Sequence, residues 1–290
     1  EHRRELRGLL VFCAWLNHDD SRSINTLDTL VPAGGRTIVR HHLLDFGSTL
    51  GSGTTQAQST RAGNEFLWES LATSITILTL GFYVRPLIKV AYPEIPALGR
   101  IEAEYFKPED WKPEYPNPAF TNARPEDRFW AARILAALSD DGVRAVIGAA
   151  KYSDSKATEY LTTTLLKRKQ KVVASWLNAT NPLVNLTLSA SGELTFENAA
   201  QTAGVGPAAE HYTIQWSAFD NASSTHTDVG AEQRVTSPAA RAPEALLSAR
   251  PEYIGAVLRA YHADQPAWSR PLTAYFRRNG EAWSLVGLER

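Results

Sequence analysis

The chain has 290 residues, of which 43% are hydrophobic and 21% charged, and its formal net charge is −1. This composition is typical of a folded globular protein, and the length favours two domains. The near-neutral charge gives no electrostatic basis for binding nucleic acid or an anionic membrane, and a single cysteine excludes a disulfide framework within the chain.

The first fifty residues predict a helix, a polar loop and a β-hairpin, in that order. An apolar run, Leu9–Leu16, predicts the helix, and the polar segment His18–Asn25 follows it; we call this segment the acidic loop. Two strand-like segments, 26–31 and 37–44, are separated by the turn signal Pro-Ala-Gly-Gly. The second strand delivers Asp45-Phe46-Gly47 at its end.

Three side chains of this unit have the chemistry that phosphoryl transfer requires. Asp20 and Asn25 are five residues apart, and Asp45 follows after the hairpin. The reaction needs a carboxylate near the attacking hydroxyl and oxygen ligands that hold Mg²⁺ against the phosphates. We therefore expect Asp20 to orient or deprotonate an acceptor hydroxyl, and Asn25 and Asp45 to bind the metal.

The order H-x-D-x-x-x-x-N, a strand pair and then D-F-G resembles the catalytic core of the protein-kinase-like superfamily. Val39–Gly51 is similar to the Asp-Phe-Gly-x-x-Leu-Gly segment of the phosphoinositide-kinase-like branch. Residues 14–28 and 45–51 are similar to bacterial proteins that carry an AWLNHxDxRxxNxLD…DFGSTLG signature. The resemblance covers roughly residues 1–90 and implies an atypical kinase C-lobe that uses Mg²⁺ and ATP.

The resemblance also assigns roles to individual residues of this chain. Asp20 and His18 are the expected catalytic residues, with His18 expected to support the backbone of the acidic loop, and Phe46 is expected to pack beneath the site. The residues assigned to cofactor binding are Asn25, Asp45, Phe46 and Gly47, and those assigned to the metal are Asn25 and Asp45.

The chain departs from the family pattern at two points. Asp19 stands where an Arg often follows the loop His, so regulation through a phosphorylated activation loop is not expected. No Gly-rich hairpin and no strand Lys paired with a helix Glu precede residue 1. We therefore expect a fragment whose N-terminal lobe lies upstream, and weak or no nucleotide binding by these 290 residues alone.

The segment after the Asp-Phe-Gly motif predicts a loop, a helix and an irregular strap. The small polar stretch 51–60 predicts the loop. An apolar stretch from about Asn64 to Val84 predicts a buried core helix that is too short to span a membrane. The proline-rich stretch 92–124 predicts a strap that is anchored to the core by the aromatic side chains Tyr105, Phe106, Trp111, Tyr115 and Phe120.

Residues 125–177 predict three helices. Pro125 and Ser139 are expected at the beginning of the first two, and Ser153 is expected to cap the third. The third helix carries a basic run, 167–171, which is expected to form a solvated face.

From about residue 180 the pattern favours short strands separated by turns. Strands are predicted at 183–188, 193–196, 211–216, 253–261, 272–277 and 283–288. We therefore expect an α+β protein, with a mostly helical kinase-like C-lobe at 1–178 and an immunoglobulin-like antiparallel β-sandwich at 179–290. A protein or a glycan is the expected ligand of the β domain.

Three functions are compatible with these patterns. The first is an atypical Mg-ATP-dependent phosphotransferase that acts on an unknown hydroxyl acceptor. The second is a non-catalytic binding or scaffold protein with a degenerate kinase-like core. The third is a metal-dependent hydrolase that uses Asp19, Asp20, His41, His42 and Asp45. The third is the weakest, because adjacent histidines on one strand face opposite sides.

Overall fold

The computed structural model describes residues 2–83 and 90–290, and it combines helices with antiparallel sheets, which confirms the α+β class. Val84, at the end of the predicted long helix, lies outside the described residues. The chain divides into two compact units, Glu1–Val172 and Val173–Arg290. The predicted domain boundary at 178/179 stays a prediction.

The first unit begins with helix α1, Arg4–Leu16, and a short 3-10 helix, Ser23–Asn25, closes the acidic loop. Strands β1, Thr26–Ala33, and β2, Arg36–Leu43, pair antiparallel, as the sequence predicts. Both residues of the connecting turn are glycines with positive φ, +55° and +75°, which is the geometry that a two-residue hairpin turn favours.

The predicted long core helix is wrong in both length and burial. Helix α2 spans only Ser70–Leu78, and its apolar side chains are largely exposed, with Leu78 at 82%. Leu80 and Gly81 have φ of +52° and +83°, and this left-handed backbone ends the helix. Among the described residues, every helix is too short or too polar to cross a membrane.

The proline-rich strap is irregular, as predicted, apart from a 3-10 helix, Pro108–Asp110, and a one-turn helix α3, Pro118–Thr121. Its buried aromatic side chains are Phe106, Trp111 and Phe120, whereas Tyr105 and Tyr115 are exposed. Three of the five predicted aromatic anchors therefore bury against the core.

Three further helices follow: α4, Pro125–Ala136, α5, Asp140–Ala149, and α6, Ser155–Leu177. The hydroxyl of Ser139 accepts the N–H of Gly142 at 3.0 Å and caps α5, as predicted. At the start of α6 the carboxylate of Asp154, not the hydroxyl of Ser153, accepts the N–H of residue 156, at 2.8 Å.

A bidentate ion pair joins α1 to α4. The guanidinium of Arg7 donates to both carboxylate oxygens of Asp127, at 2.6 and 2.9 Å. Burial raises the pKa of Asp127, but the hydrogen bonds from Arg7 and from the Arg124 N–H outweigh it and leave the pKa below its usual value. The pair fixes the position of α1, and α1 in turn positions the acidic loop.

The second unit is formed mainly by antiparallel strands. Its strands are β3, Leu183–Leu188, β4, Glu193–Asn198, β5, His211–Asp220, β6, Thr225–Asp228, β7, Gln233–Val235, β8, Ala239–Arg241, β9, Tyr253–Tyr261, β10, Leu272–Asn279, and β11, Ala282–Glu289. Its helical segments are α7, Ala199–Thr202, α8, Glu244–Ala249, and a 3-10 helix, Pro266–Ser269. The structure confirms the six predicted strands, whereas β6, β7 and β8 carry too few apolar residues to be predicted from the sequence.

The strands form two antiparallel sheets. One has the order β11-β10-β9-β5-β6, with β7 also paired to β5, and the other has the order β3-β4-β8. Phe196 of the smaller sheet packs edge-on against Tyr212 of the larger one, with ring centroids 5.0 Å apart. Trp216 and Trp268 are fully buried, so they are core residues of this unit.

Candidate functional site

All four carbonyls in the last turn of α1, residues 13–16, accept a hydrogen bond, so the helix leads into the acidic loop without an unsatisfied group. The first and the last of these carbonyls accept the N–H groups of His18 and Leu50, both at 2.9 Å. The middle two accept from the guanidinium of Arg168, on α6. The beginning of the loop is therefore fixed by a residue distant in the sequence.

Arg168 is buried, so the prediction of a solvated face for the basic run is wrong at this position. Its guanidinium donates to the carbonyls of Trp15 (2.9 Å), Ala14 (2.5 Å) and Glu102 (2.7 Å). Its central carbon lies 3.5 Å from the ring centroid of Phe106. Burial lowers the pKa of Arg168 to about 9, so the group stays protonated at neutral pH. A cation is favourable here because the carbonyl end of a helix carries partial negative charge.

The acidic loop is closed by hydrogen bonds between its two ends. The carboxamide nitrogen of Asn25 donates to the backbone carbonyl of Asp20 at 2.9 Å and to its carboxylate at 3.0 Å. Arg22 donates to the same carboxylate at 2.9 Å and forms an ion pair with its other oxygen. Asp20 and Asn25 are thus in direct contact, and the Asp20 carboxylate is held in one orientation.

The hairpin brings Asp45 next to Asn25. Thr26 and Leu43 are register partners, and the N–H of Leu44 donates to the Asn25 carbonyl at 2.8 Å. Asp45 follows directly, with φ +54°, and its carboxylate accepts the N–H of Gly47 at 3.1 Å. The predicted site residues Asp20, Asn25 and Asp45 therefore lie on one short unit.

His18 lies behind the acidic loop, where it is 2% exposed. Its Nδ1 forms a 2.9 Å hydrogen bond with the hydroxyl of Thr49, and its ring centroid lies 5.8 Å from that of Phe46. Burial lowers the pKa of His18, and the nearby carboxylates of Asp20 and Asp45 oppose this effect. The His18 ring therefore forms its hydrogen bond with the Thr49 side chain and not, as expected, with the backbone of the acidic loop. The Phe46 ring lies beside the His18 ring, and the Phe46 residue is 59% exposed.

Two backbones cross closely at the end of the Asp-Phe-Gly-x-x-Leu-Gly segment. Gly51 has φ +71°, and a Cβ added there would lie 2.1 Å from the carbonyl oxygen of Arg100. A Cβ added at Gly99 would lie 2.3 Å from the carbonyl carbon of Gly51. Neither position accepts a larger side chain, so this crossing fixes the segment that follows Asp45.

Asp19, beside Asp20, is buried rather than turned to solvent. Its carboxylate accepts one long hydrogen bond from Gln58, at 3.4 Å, and its backbone carbonyl accepts the N–H of Glu114 at 2.8 Å. Burial raises the pKa of Asp19 to about 6, and the neighbouring carboxylates of Glu114 and Asp20 add to this effect. Asp19 is therefore a structural carboxyl group that destabilises the fold when it is ionised.

Asp19→Asn is expected to raise the free energy of unfolding at pH 7 by up to about 3 kcal/mol, since one pKa unit corresponds to about 1.4 kcal/mol. The folded-state pKa, about 6, lies above the ordinary 3.8, so the penalty is fully present above pH 6 and disappears as the pH falls towards 4. Urea unfolding at pH 7 and pH 4.5 measures the gain at both ends of this range. A gain of equal size at both pH values, or one matched by the exposed control Asp264→Asn, would contradict this assignment.

The two histidines of β2 do not join this site. His41 Nδ1 lies 2.6 Å from the carboxylate of Asp28, and His42 Nε2 lies 2.9 Å from the hydroxyl of Thr29, both across the hairpin. Within residues 2–83 and 90–290, no group of three or more His, Cys, Asp or Glu side chains is arranged to hold a metal ion. This geometry gives no support to the hydrolase alternative.

The contacts that Arg22 and Asn117 make at the acidic loop were not predicted. The guanidinium of Arg22 lies 4.8 Å from the ring centroid of Tyr115, and Asn117 donates to the carbonyl of Ser21 at 2.6 Å. The available sequence signals were the position of Arg22 two residues after Asp20 and the Asn-Pro step at 117–118, typical of a helix cap. Both signals are common, and neither indicates the partner across the fold.

Asp20 and Asn25 are in direct contact, Asp45 follows the residue whose N–H donates to the Asn25 carbonyl, and each of the three side chains is held by hydrogen bonds to neighbouring residues. The set can orient a hydroxyl and can offer oxygen ligands to a hard cation. Comparison of the chain with protein-family models, with curated proteins and with solved structures gave no match.

Proposed function

We propose that the first unit is a kinase-like C-lobe and that the protein transfers a phosphoryl group from Mg-ATP to a hydroxyl acceptor. One observation carries the proposal: Asn25 donates to both the carbonyl and the carboxylate of Asp20, while its own carbonyl accepts from the residue before Asp45. This contact supports the proposal, because Asp20, Asn25 and Asp45, the expected base and metal ligands, belong to one loop-and-hairpin unit.

The donor set fits Mg²⁺, which takes hard oxygen ligands and usually only one or two carboxylates from the protein. The Asn25 nitrogen is engaged by Asp20, so its carboxamide oxygen is the atom left to face a cation. One oxygen of Asp45 accepts the Gly47 N–H, and the other is left for the metal. When bound, Mg²⁺ neutralises charge on the phosphates, whose oxygens supply the remaining ligands together with water.

Asp20 is suited to act on the acceptor hydroxyl. Its side chain is 18% exposed, and Arg22 and Asn25 both donate to its Oδ2 and hold it in a fixed orientation. In the proposed step the hydroxyl oxygen forms a bond to the γ-phosphorus of ATP, and the bond between that phosphorus and the bridging oxygen breaks. ADP leaves, and the hydroxyl proton passes to the Asp20 carboxylate.

The second unit is proposed to be an accessory module of immunoglobulin-like type. The two antiparallel sheets, with Phe196 and Tyr212 in contact between them, support a sandwich. A protein or a glycan is the ligand class proposed for this module.

The test is Mg-ATP binding by thermal shift on the protein expressed from its natural start, because these 290 residues alone are expected to bind nucleotide weakly or not at all; Asp45→Ala is measured alongside. A ligand at 100 times its dissociation constant stabilises a protein by about 2.7 kcal/mol, so binding is readily detected. We expect stabilisation that requires both Mg²⁺ and ATP and that is lost in Asp45→Ala.

Asp28→Ala is the matched control, because it removes an exposed carboxylate from the same hairpin. It should respond to Mg-ATP like the unaltered protein. Equal shifts in Asp45→Ala and Asp28→Ala would reject Asp45 as a metal ligand. No shift in any of the three proteins would favour the scaffold alternative.

A further inference from the structure

A cavity of about 490 Å³ borders the acidic loop, within the size range of small-molecule sites. Three elements form its walls: helix α1, residues 21–24 of the acidic loop with Thr26 after it, and the strap between 115 and 120. Leu43, the register partner of Thr26, closes the side formed by the hairpin. The cavity therefore begins at the residue that follows Asp20.

The lining of this cavity has an apolar part and a polar part. Leu6, Leu9, Tyr115 and Phe120 contribute apolar and aromatic surface from α1 and the strap. Ser21, Arg22, Ser23 and Thr26 supply most of the polar lining. Arg22 is the charged lining residue, and its guanidinium is already engaged by Asp20. The cation is therefore not free for a strongly anionic ligand, whereas the aliphatic and aromatic surface matches an apolar body.

Arg22 connects the cavity to the expected base. It lies in the cavity wall, faces the ring of Tyr115, and donates to the Asp20 carboxylate at 2.9 Å. A ligand with its apolar body between α1 and the strap would place a polar end group towards the acidic loop.

We propose that this cavity holds the body of the acceptor, and that the acceptor is an amphiphilic alcohol with an aliphatic or aromatic body and a terminal hydroxyl. The role of this ligand as an acceptor rests on the proposed phosphotransferase function, whereas its binding in the cavity does not. The binding site itself is tested without nucleotide.

The experiment measures binding of 1-octanol to the full chain by calorimetry and by saturation-transfer NMR, in the absence of ATP. Leu43→Trp fills the cavity from the hairpin side, and Leu30→Trp makes the same change at a position of the hairpin that is 73% exposed and lies outside the cavity. We expect saturable binding to the unaltered protein and to Leu30→Trp, and at least tenfold weaker binding to Leu43→Trp.

A second variant guards against a folding defect in Leu43→Trp. Ile24 lines the cavity but is 78% exposed, so Ile24→Asp adds a charge at the rim without disturbing the core. It should also weaken octanol binding at least tenfold. Equal octanol binding in Ile24→Asp, in Leu43→Trp and in the unaltered protein, or no saturable binding at all, would overturn the proposal.

Transfer of labelled phosphate from ATP to octanol is measured separately. Octanol that binds with the expected variant pattern but is not phosphorylated counts against the phosphotransferase function, and the cavity remains an amphiphile site. Phosphorylation of glycerol in preference to octanol would keep the phosphotransferase and overturn the acceptor class.

Discussion

Arg168→Leu is expected to lower the free energy of unfolding by about 3–5 kcal/mol, in the range of substitutions that break a buried charged group away from its partners. The guanidinium donates to three carbonyls, two of them in the last turn of α1. The Ala14 carbonyl also accepts the Asn17 N–H at 3.4 Å, but those of Trp15 and Glu102 lose their donor, at about 1–3 kcal/mol for each buried acceptor, and together they outweigh the relief of no longer burying a cation. Urea unfolding followed by far-UV circular dichroism measures the loss.

Lys167→Leu is the matched control, since the neighbouring Lys167 is exposed on the same helix. It should change stability by less than about 0.5 kcal/mol. Arg168→Lys should fall between the two variants, because it retains the charge but cannot reproduce the planar fork of donors. Similar unfolding midpoints for Arg168→Leu and Lys167→Leu would refute this assignment.

Asp20→Asn is expected to lower the rate of phosphoryl transfer by about 10²–10⁴-fold, the usual contribution of a general base. The replacement keeps the size of the side chain and an oxygen that can accept the 3.0 Å hydrogen bond from Asn25, but it cannot accept a proton. Because Asp20 is not one of the proposed metal ligands, Mg-ATP binding should be retained. Turnover at saturating ATP, with the thermal shift measured in parallel, separates the two effects.

Asp28→Asn provides the comparison, as it makes the same chemical change on the hairpin beside His41. Its turnover should match that of the unaltered protein. If Asp20→Asn turned over at the rate of Asp28→Asn, Asp20 would not be the base. If Asp20→Asn instead lost Mg-ATP binding, its role would lie in the nucleotide site.

The hairpin and the C-terminal strands were predictable because their signals are local. Two strand-like runs around Gly34-Gly35 specify a turn, and Asn279-Gly280 specifies the last one. The short strands β6–β8 lack such signals and depend on pairing with β5 or β4. Their existence is decided by the partner strand rather than by their own residues.

The site follows the same division between local and distant signals. The spacing of Asp20, Asn25 and Asp45 suggested one cluster; local contacts join Asp20 to Asn25 and the Asn25 carbonyl to the residue before Asp45, and the cluster of all three side chains stays a prediction. Burial of Asp19 and Arg168 could not be read from the sequence, because charged residues are ordinarily exposed and only the tertiary neighbours decide otherwise. The prediction that α2 is buried failed for the opposite reason. Its apolar residues predict burial, but none of the described residues covers them.

The support of α1 by Arg168 has a consequence for the order of events during synthesis. Asp20, Asn25 and Asp45 leave the ribosome before Arg168 and can form their local contacts first, because the residue that completes the end of α1 lies 153 positions after Trp15. At about 5–20 residues per second, that residue is added roughly 8–30 s later. During this interval the carbonyls of Ala14 and Trp15 have no guanidinium to bind, so we expect the nascent chain to hold the acidic loop only loosely until α6 emerges.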